Sequence, residues 1–149
     1  ILFQLKYKNN QAVGHYFGQE IAKRIRMNKK FSDADVFIPV PLHPKKAFIR
    51  GYNQSEALAI GISQELHVEM DLKSVKRIQH GASQTGKSRF ERWSTIQSTF
   101  QVNESITKYA HIVLVDDVIT TGSTLEVIAT AILEKHPTAK ISVVTLAIT

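Results

Sequence analysis

The order of apolar and polar residues predicts an α/β domain, with a mostly parallel central sheet flanked by helices. Three observations carry this. Residues 111–115 (HIVLV) are an uninterrupted apolar run, the pattern of a strand covered on both faces. A helical stretch and a second apolar run, residues 141–148, follow it, so the unit reads strand–helix–strand. About 25 residues separate the two strands, which suits a parallel pair joined by a right-handed crossover. Strand-like and helix-like segments also alternate through the whole 149-residue chain. That length suits a single domain over residues 1–149 with a sizeable core.

The elements follow in order. Val13, Phe17, Ile21 and Ile25 recur every four residues and predict a helix over 11–27 with one apolar stripe. Residues 35–40 (DVFIPV) read as a short buried strand. It runs into Pro41-Leu42-His43-Pro44, a loop that two prolines keep from becoming helix. Asn53 is placed to cap a second helix, with Glu56 as its capping-box partner and Leu58, Ile62 and Leu66 on the buried side. Residues 72–78 are a weak strand with alternating character. Residues 79–87 are polar and contain glycine, so a loop is expected there. Ser88 and Glu91 then suggest a short capped helix ending near Gln97. Asp116 and Asp117 close the 111–115 strand, and residues 118–122 read as a turn. The helix after it runs to about Lys135, with Leu125, Ile128, Ala129, Ile132 and Leu133 on one side, and Pro137 prevents its continuation.

Composition sets limits. The chain is 43% hydrophobic and 21% charged, which excludes wholesale disorder. It has no cysteine, so a disulfide framework and a cysteine zinc site are both excluded. No apolar run approaches the roughly 18 residues of a membrane helix, and no signal-peptide pattern opens the chain. A cytoplasmic protein without membrane insertion is therefore expected. The chain starts at Ile1 rather than methionine, so we expect a fragment or a missing start. The net charge of +6 suggests an anionic partner. Lys45, Lys46, Arg50, Lys76, Arg77, Lys87, Arg89 and Arg92 flank the candidate site described next. Lys23, Arg24, Arg26, Lys29 and Lys30 form a third group, read as a solvated helix end where cations favour the C-terminal dipole; the alternative, a nucleic-acid patch, is weakened because no aromatic residues interleave with it.

Ligands of open α/β sheets bind beyond the carboxyl ends of the strands. Asp116 and Asp117 occupy such an end. Thr120, Thr121, Gly122, Ser123 and Thr124 then lead into a helix, where small residues, hydroxyls and backbone amides favour a phosphate. Two carboxylates would repel a bare phosphate, but they suit a ligand with a phosphate at one end and hydroxyls or a metal ion at the other. A sugar phosphate meets that description. The plainer alternative makes Ser123 a helix cap and the aspartates solvated turn residues.

The string VLVDDVITTGST resembles the phosphoribosyl-diphosphate (PRPP) motif of type I phosphoribosyltransferases. The string from Ile38 to Lys46 (IPVPLHPKK) and Arg50-Gly51-Tyr52-Asn53-Gln54 resemble the ComF family, the competence-protein branch of these enzymes. So do Ser83-Gln84-Thr85-Gly86-Lys87-Ser88-Arg89, Glu91-Arg92-Trp93 and Leu5-Lys6-Tyr7-Lys8. The chain departs from that family in lacking its N-terminal four-cysteine zinc module, and in having Gly81 where threonine is usual. The resemblance implies a type I phosphoribosyltransferase-like fold and a PRPP substrate, with Mg²⁺ bridging its pyrophosphate. Asp116 and Asp117 would then bind ribose hydroxyls and Mg²⁺-bound water, while the amides of residues 120–124 hold the 5′-phosphate. Pro41, Leu42, His43, Lys45, Lys46 and Arg50 would face the pyrophosphate. Lys87 and Arg89 would lie on a mobile hood loop, about residues 79–88, that closes over the site.

The resemblance also implies transfer to an acceptor that the residues do not identify, a homo-oligomeric assembly, and an association with single-stranded DNA uptake or a competence-protein partner. Two other readings compete with an enzyme of this kind. One is a non-catalytic PRPP-binding module on the same fold. The other is a P-loop NTPase, because residues 81–88 (GASQTGKS) match G-x-x-x-x-G-K-[ST]. That motif needs a buried strand before its first glycine. Lys76-Arg77-Ile78-Gln79-His80 is too polar to supply one.

Overall fold

The computed structural model describes residues 10–78 and 99–149. In chain order the elements are α1 (Gln11–Arg26), β1 (Val36–Pro39), α2 (Pro44–Arg50), α3 (Gln54–Leu66), β2 (Glu69–Met70), β3 (Val75–Arg77), β4 (Phe100–Val102), a 3-10 helix (Glu104–Lys108), β5 (His111–Ile119), α4 (Ser123–Lys135) and β6 (Lys140–Ile148). Strands β2, β1, β5 and β6 lie in that order in one parallel sheet. Strands β3 and β4 form a separate antiparallel pair. The expected loop at 79–88, with Lys87 and Arg89, and the expected helix at 88–97 lie outside the described residues, as does Leu5-Lys6-Tyr7-Lys8.

The apolar runs of β1 and β5 are continuous because both faces of the sheet are covered. Val36, Ile38, Ile112 and Leu114 pack with Leu125, Ile128 and Ile132 of α4 and with Val75, Phe100 and Val102 of the β3–β4 pair. Phe37, Val113 and Val115 face the other way, onto Leu58, Ala59 and Ile62 of α3 and Ala22 of α1. At the amino ends of the strands, buried His111 bridges Asp33 Oδ1 and Ser142 Oγ, each at 2.8 Å. No described helix is long and apolar enough to cross a membrane.

Four details differ from the sequence expectations. Pro44, expected in a loop, instead begins a helix, at the first helical position where its missing N–H costs nothing. β5 continues to Ile119, so residues 118 and 119 belong to the strand rather than to a turn. The cause is β6, which pairs with β5 as far as Ile119↔Ile148, whereas β1 leaves at Pro39↔Val115. Leu133, expected on the covered side of α4, is exposed. In α1 the fully buried residues are Gly14, Gly18 and Ala22, while Phe17, Ile21 and Ile25 pack only partly buried beside them.

That small-residue stripe exists because α1 and α3 touch backbone to backbone. A Cβ on Gly18 would run into the Leu58 carbonyl oxygen and come within 2.9 Å of the Gly61 Cα. On Gly61 it would run into the His15 carbonyl oxygen and come within 3.0 Å of the Gln19 amide nitrogen. In a free helix Gly→Ala gains about 1 kcal/mol of propensity, so the sign of the change reports the packing. Gly61→Ala is expected to lose roughly 1–3 kcal/mol net in a urea unfolding titration. A gain in stability would show that the helices do not approach so closely.

Candidate functional site

Where β1 leaves β5, the carboxyl end of the sheet opens into a cleft of 200 Å³. Its wall carries Pro41, Leu42, Lys46 and Arg50, from the loop after β1 and from α2, together with Asp116 and Asp117 of β5 and Thr120 and Thr124. Arg77 reaches in from β3, and Asn53, Gln54 and Ser55 form the start of α3. A smaller hollow of 60 Å³ adjoins the cleft and is lined by residues 118–125 together with Asp116. The structure thus brings together Asp116, Asp117, Thr120–Thr124, Pro41, Leu42, Lys46 and Arg50. His43 and Lys45 stand outside the wall. His43 caps α2, its Nδ1 accepting from the Lys45 amide at 3.2 Å.

The two aspartates are held differently. Asp116 Oδ1 accepts from the Ser55 hydroxyl at 3.0 Å and from the Asp117 amide at 2.9 Å. Burial pushes its carboxyl up to about 6, the adjacent Asp117 charge adds to the rise, and the Ser55 hydrogen bond opposes it. Asp117 Oδ1 accepts from the Val118 amide at 3.0 Å. Its Oδ2 is buried and has no donor among the described residues. An acceptor atom shielded from water and left open is suited to a ligand that brings the donor, such as a sugar hydroxyl or a metal-bound water. Among the described residues no group of three or more His, Asp or Glu side chains could hold a metal by itself. A cation held by this carboxylate pair would complete its shell with other oxygens, such as those of water or a ligand.

The loop beyond the aspartates is open to an anion. Gly122 is the N-cap of α4 with φ 77°, a left-handed conformation that glycine adopts without strain, and as glycine it offers no side chain to cap the helix. Ser123 is the first helical residue, not the cap. Its amide and hydroxyl turn to Thr121 Oγ1, at 3.4 and 2.9 Å. The first helical backbone bond is Glu126 N–H to the Gly122 carbonyl, at 3.0 Å. The amides of Thr124 and Leu125 precede it and find no acceptor among the described residues.

The start of α3 also belongs to the site, and motif reading placed no site residue there, stopping at Arg50 of α2. Arg50 donates to Gln54 Oε1 at 2.8 Å, Asn53 donates to the Val40 carbonyl at 3.0 Å, and Ser55 holds Asp116. Gln54 and Ser55 are buried polar residues at a helix start, but burial cannot be read from the string RGYNQS.

The phosphoribosyl transferase domain family matches residues 53–148. Competence protein F of Haemophilus influenzae is 38% identical over 97 residues, covering 64% of this chain and 42% of that protein. DNA utilization protein YhgH of Escherichia coli is 29% identical over 142 residues, covering 93% of this chain and 62% of its own. Competence protein ComFC of Bacillus subtilis is 26% identical over 146 residues, covering 97% and 57%. The chain thus spans about 42–62% of these relatives. Among solved structures, the glutamine phosphoribosylpyrophosphate amidotransferase of Bacillus subtilis superposes with a TM-score of 0.65 at 19% identity, over 91% of this chain and 26% of that one. This likeness establishes the shared fold. The chain belongs to the phosphoribosyltransferase domain family, as a member of its ComF branch.

Asp116 generates a pH prediction for the metal-free, ligand-free protein. Its carboxyl holds a proton more tightly in the fold, up to about 6, than in the unfolded chain, at 3.8. The fold therefore carries no penalty below the lower value and loses stability as pH rises through the window between the two. Asp116→Asn should remove that loss and be more stable than the parent at neutral pH by about 1–2 kcal/mol, after discounting for solvent. Urea unfolding across pH 4–7 checks it. Parallel curves for the two proteins would contradict the burial of this carboxyl.

Proposed function

We propose that the cleft binds PRPP with Mg²⁺ and that the protein transfers the phosphoribosyl group to a nucleophilic acceptor, releasing pyrophosphate. One observation carries the reading: a carboxylate pair with an open buried oxygen lines one cleft with the cations Lys46 and Arg50 and also borders the hollow at the Gly122 start of α4. No single simple anion suits all three parts, whereas PRPP has a 5′-phosphate, ribose hydroxyls and a pyrophosphate in that order.

The residues then have distinct tasks. The amides and hydroxyls of residues 120–124 hold the 5′-phosphate, favoured by the dipole of α4. The free Asp117 oxygen accepts from a ribose hydroxyl or from metal-bound water, and Asp116 accepts beside it once ionised. Bound Mg²⁺ would neutralise the pyrophosphate oxygens and make pyrophosphate a better leaving group. Lys46 and Arg50 take up the charge that collects on pyrophosphate as the bond to C1′ breaks. The two carboxylates stabilise the positive charge developing on the ribose ring. Lys87 and Arg89, in the expected hood loop, would add cations to the leaving group.

A second reading keeps PRPP binding without turnover. It is favoured by the competence and DNA-utilisation names of the similar proteins, which suggest a DNA-uptake module, with single-stranded DNA or another competence protein as partner. Pyrophosphate release from Mg²⁺-PRPP with a panel of bases and amines separates the two, since only the enzyme releases it in an acceptor-dependent manner. A cytoplasmic homo-oligomer is compatible with either.

Binding itself is tested by ligand-induced stabilisation. Mg²⁺-PRPP at a hundred times its dissociation constant should stabilise the protein by about 2.7 kcal/mol, and Mg²⁺-ATP by much less. Asp117→Asn should weaken PRPP binding at least tenfold with little change in the unliganded melting temperature. Stabilisation by ATP and none by PRPP would overturn the assignment in favour of the P-loop reading.

A further inference from the structure

Arg77 is a cation in the cleft that the roles above leave unused. It stands on β3, in the small antiparallel sheet, whereas Lys46 and Arg50 belong to α2. Its guanidinium lies over the Phe100 ring of β4, 5.3 Å from the centroid. Phe100 is itself buried, locked in the core against α4. Contact with a fixed ring restrains the guanidinium. Arg77 is half-buried, and no carboxylate among the described residues pairs with it. Partial desolvation is its only perturbation and depresses its pKa. A partly buried guanidinium without an anion is costly unless a ligand supplies one.

The ligand's anions divide unevenly around it. In the proposed PRPP complex the 5′-phosphate is met by the 120–124 loop and the pyrophosphate by Lys46 and Arg50. Arg77 lines the same cleft as Asp116 and Asp117 and is left for the acceptor end of the ligand. A neutral heterocycle placed there would leave the fork unpaired. A planar acceptor bearing a carboxylate would meet it with two parallel N–H···O bonds.

We infer that Arg77 is a specificity-determining residue and that the acceptor is a carboxylate-bearing nitrogen nucleophile, an aromatic or heteroaromatic amino acid or aza-acid. This rests on the PRPP reading of the same cleft. In the step, the acceptor nitrogen's lone pair forms the N–C1′ bond. The C1′–O bond breaks, and its electron pair leaves on pyrophosphate. When the nitrogen carries a proton, that proton is released to the pyrophosphate oxygen. Arg77 remains a cation throughout and forms no bond to the reacting atoms.

The experiment uses matched pairs that differ only in the carboxylate: orotate and uracil, nicotinate and nicotinamide, anthranilate and aniline. Each is added to the protein with saturating Mg²⁺-PRPP, and both the thermal shift beyond PRPP alone and pyrophosphate release are read. At least one acid should bind or react ten-fold or more better than its neutral partner. Arg77→Gln should bring that ratio close to one, Arg77→Lys should retain part of it, and PRPP alone should stabilise both variants as it does the parent. Equal or better response to the neutral partners overturns the inference, as does a lack of response to every acid. A loss of PRPP stabilisation in Arg77→Gln that matches its loss of acid response also overturns it, by making Arg77 a pyrophosphate ligand. If PRPP fails to stabilise the parent protein, the reading of the cleft has failed first.

Discussion

Two adjacent carboxylates are held at the point where β1 stops and β5 continues, and the rest of the site is arranged around that constraint. β6 carries β5 four residues past the last β1 pair, so Asp116 and Asp117 stay on rigid strand while one flank of it is open. Burial raises the Asp116 carboxyl, and Ser55 at the start of α3 holds it in place. Asp117 keeps one buried oxygen without a donor. Such an arrangement is unfavourable in the empty protein and favourable only with a ligand that brings hydroxyls or a hydrated cation. Stability is given up locally for binding, as is common where function sets the geometry.

The scaffold makes that concession tolerable. Both faces of the sheet are covered, and α1 meets α3 through Gly18 and Gly61 at backbone distance. This close crossing fixes α3, whose first turn supplies Asn53, Gln54 and Ser55 to the cleft. The α4 face anchors the β3–β4 pair through Phe100 and Val102, and this pair in turn aims Arg77. The sheet bearing the aspartates and the small sheet bearing Arg77 are thus separate units that meet over one cavity.

Much of this was legible in the order of residues, for physical reasons. The run 111–115 announced a doubly covered strand, Asn53 announced a helix cap that its side chain does form with the Ser55 amide, and the Asp-Asp and Thr-Thr-Gly-Ser-Thr strings announced the carboxyl-end loop. What stayed hidden depends on partners distant in sequence. The extension of β5 to Ile119 is decided by β6. Pro44 reads as a helix breaker until its place at the first helical position is known. The buried stripe of α1 is Gly14, Gly18 and Ala22 rather than the larger residues beside it, because only small side chains permit the α3 contact. β2 is two residues long and too short for any periodicity to show. Arg77 could be named as a nearby cation, but its stack on Phe100 joins residues more than twenty positions apart. The P-loop reading is disfavoured by the same kind of observation, since among the described residues β3, which precedes the motif, pairs with β4 rather than joining the parallel sheet.

The central claim is that the phosphate end of the ligand sits on the Gly122 loop beside the two aspartates. The most direct measurement is a crystal structure of the protein grown with Mg²⁺ and PRPP. The 5′-phosphate is expected on the backbone amides of residues 120–124, with ribose hydroxyls within hydrogen-bonding distance of Asp116 and Asp117. A phosphate cradled instead by successive amides of residues 81–88, with the 120–124 loop empty, would contradict it.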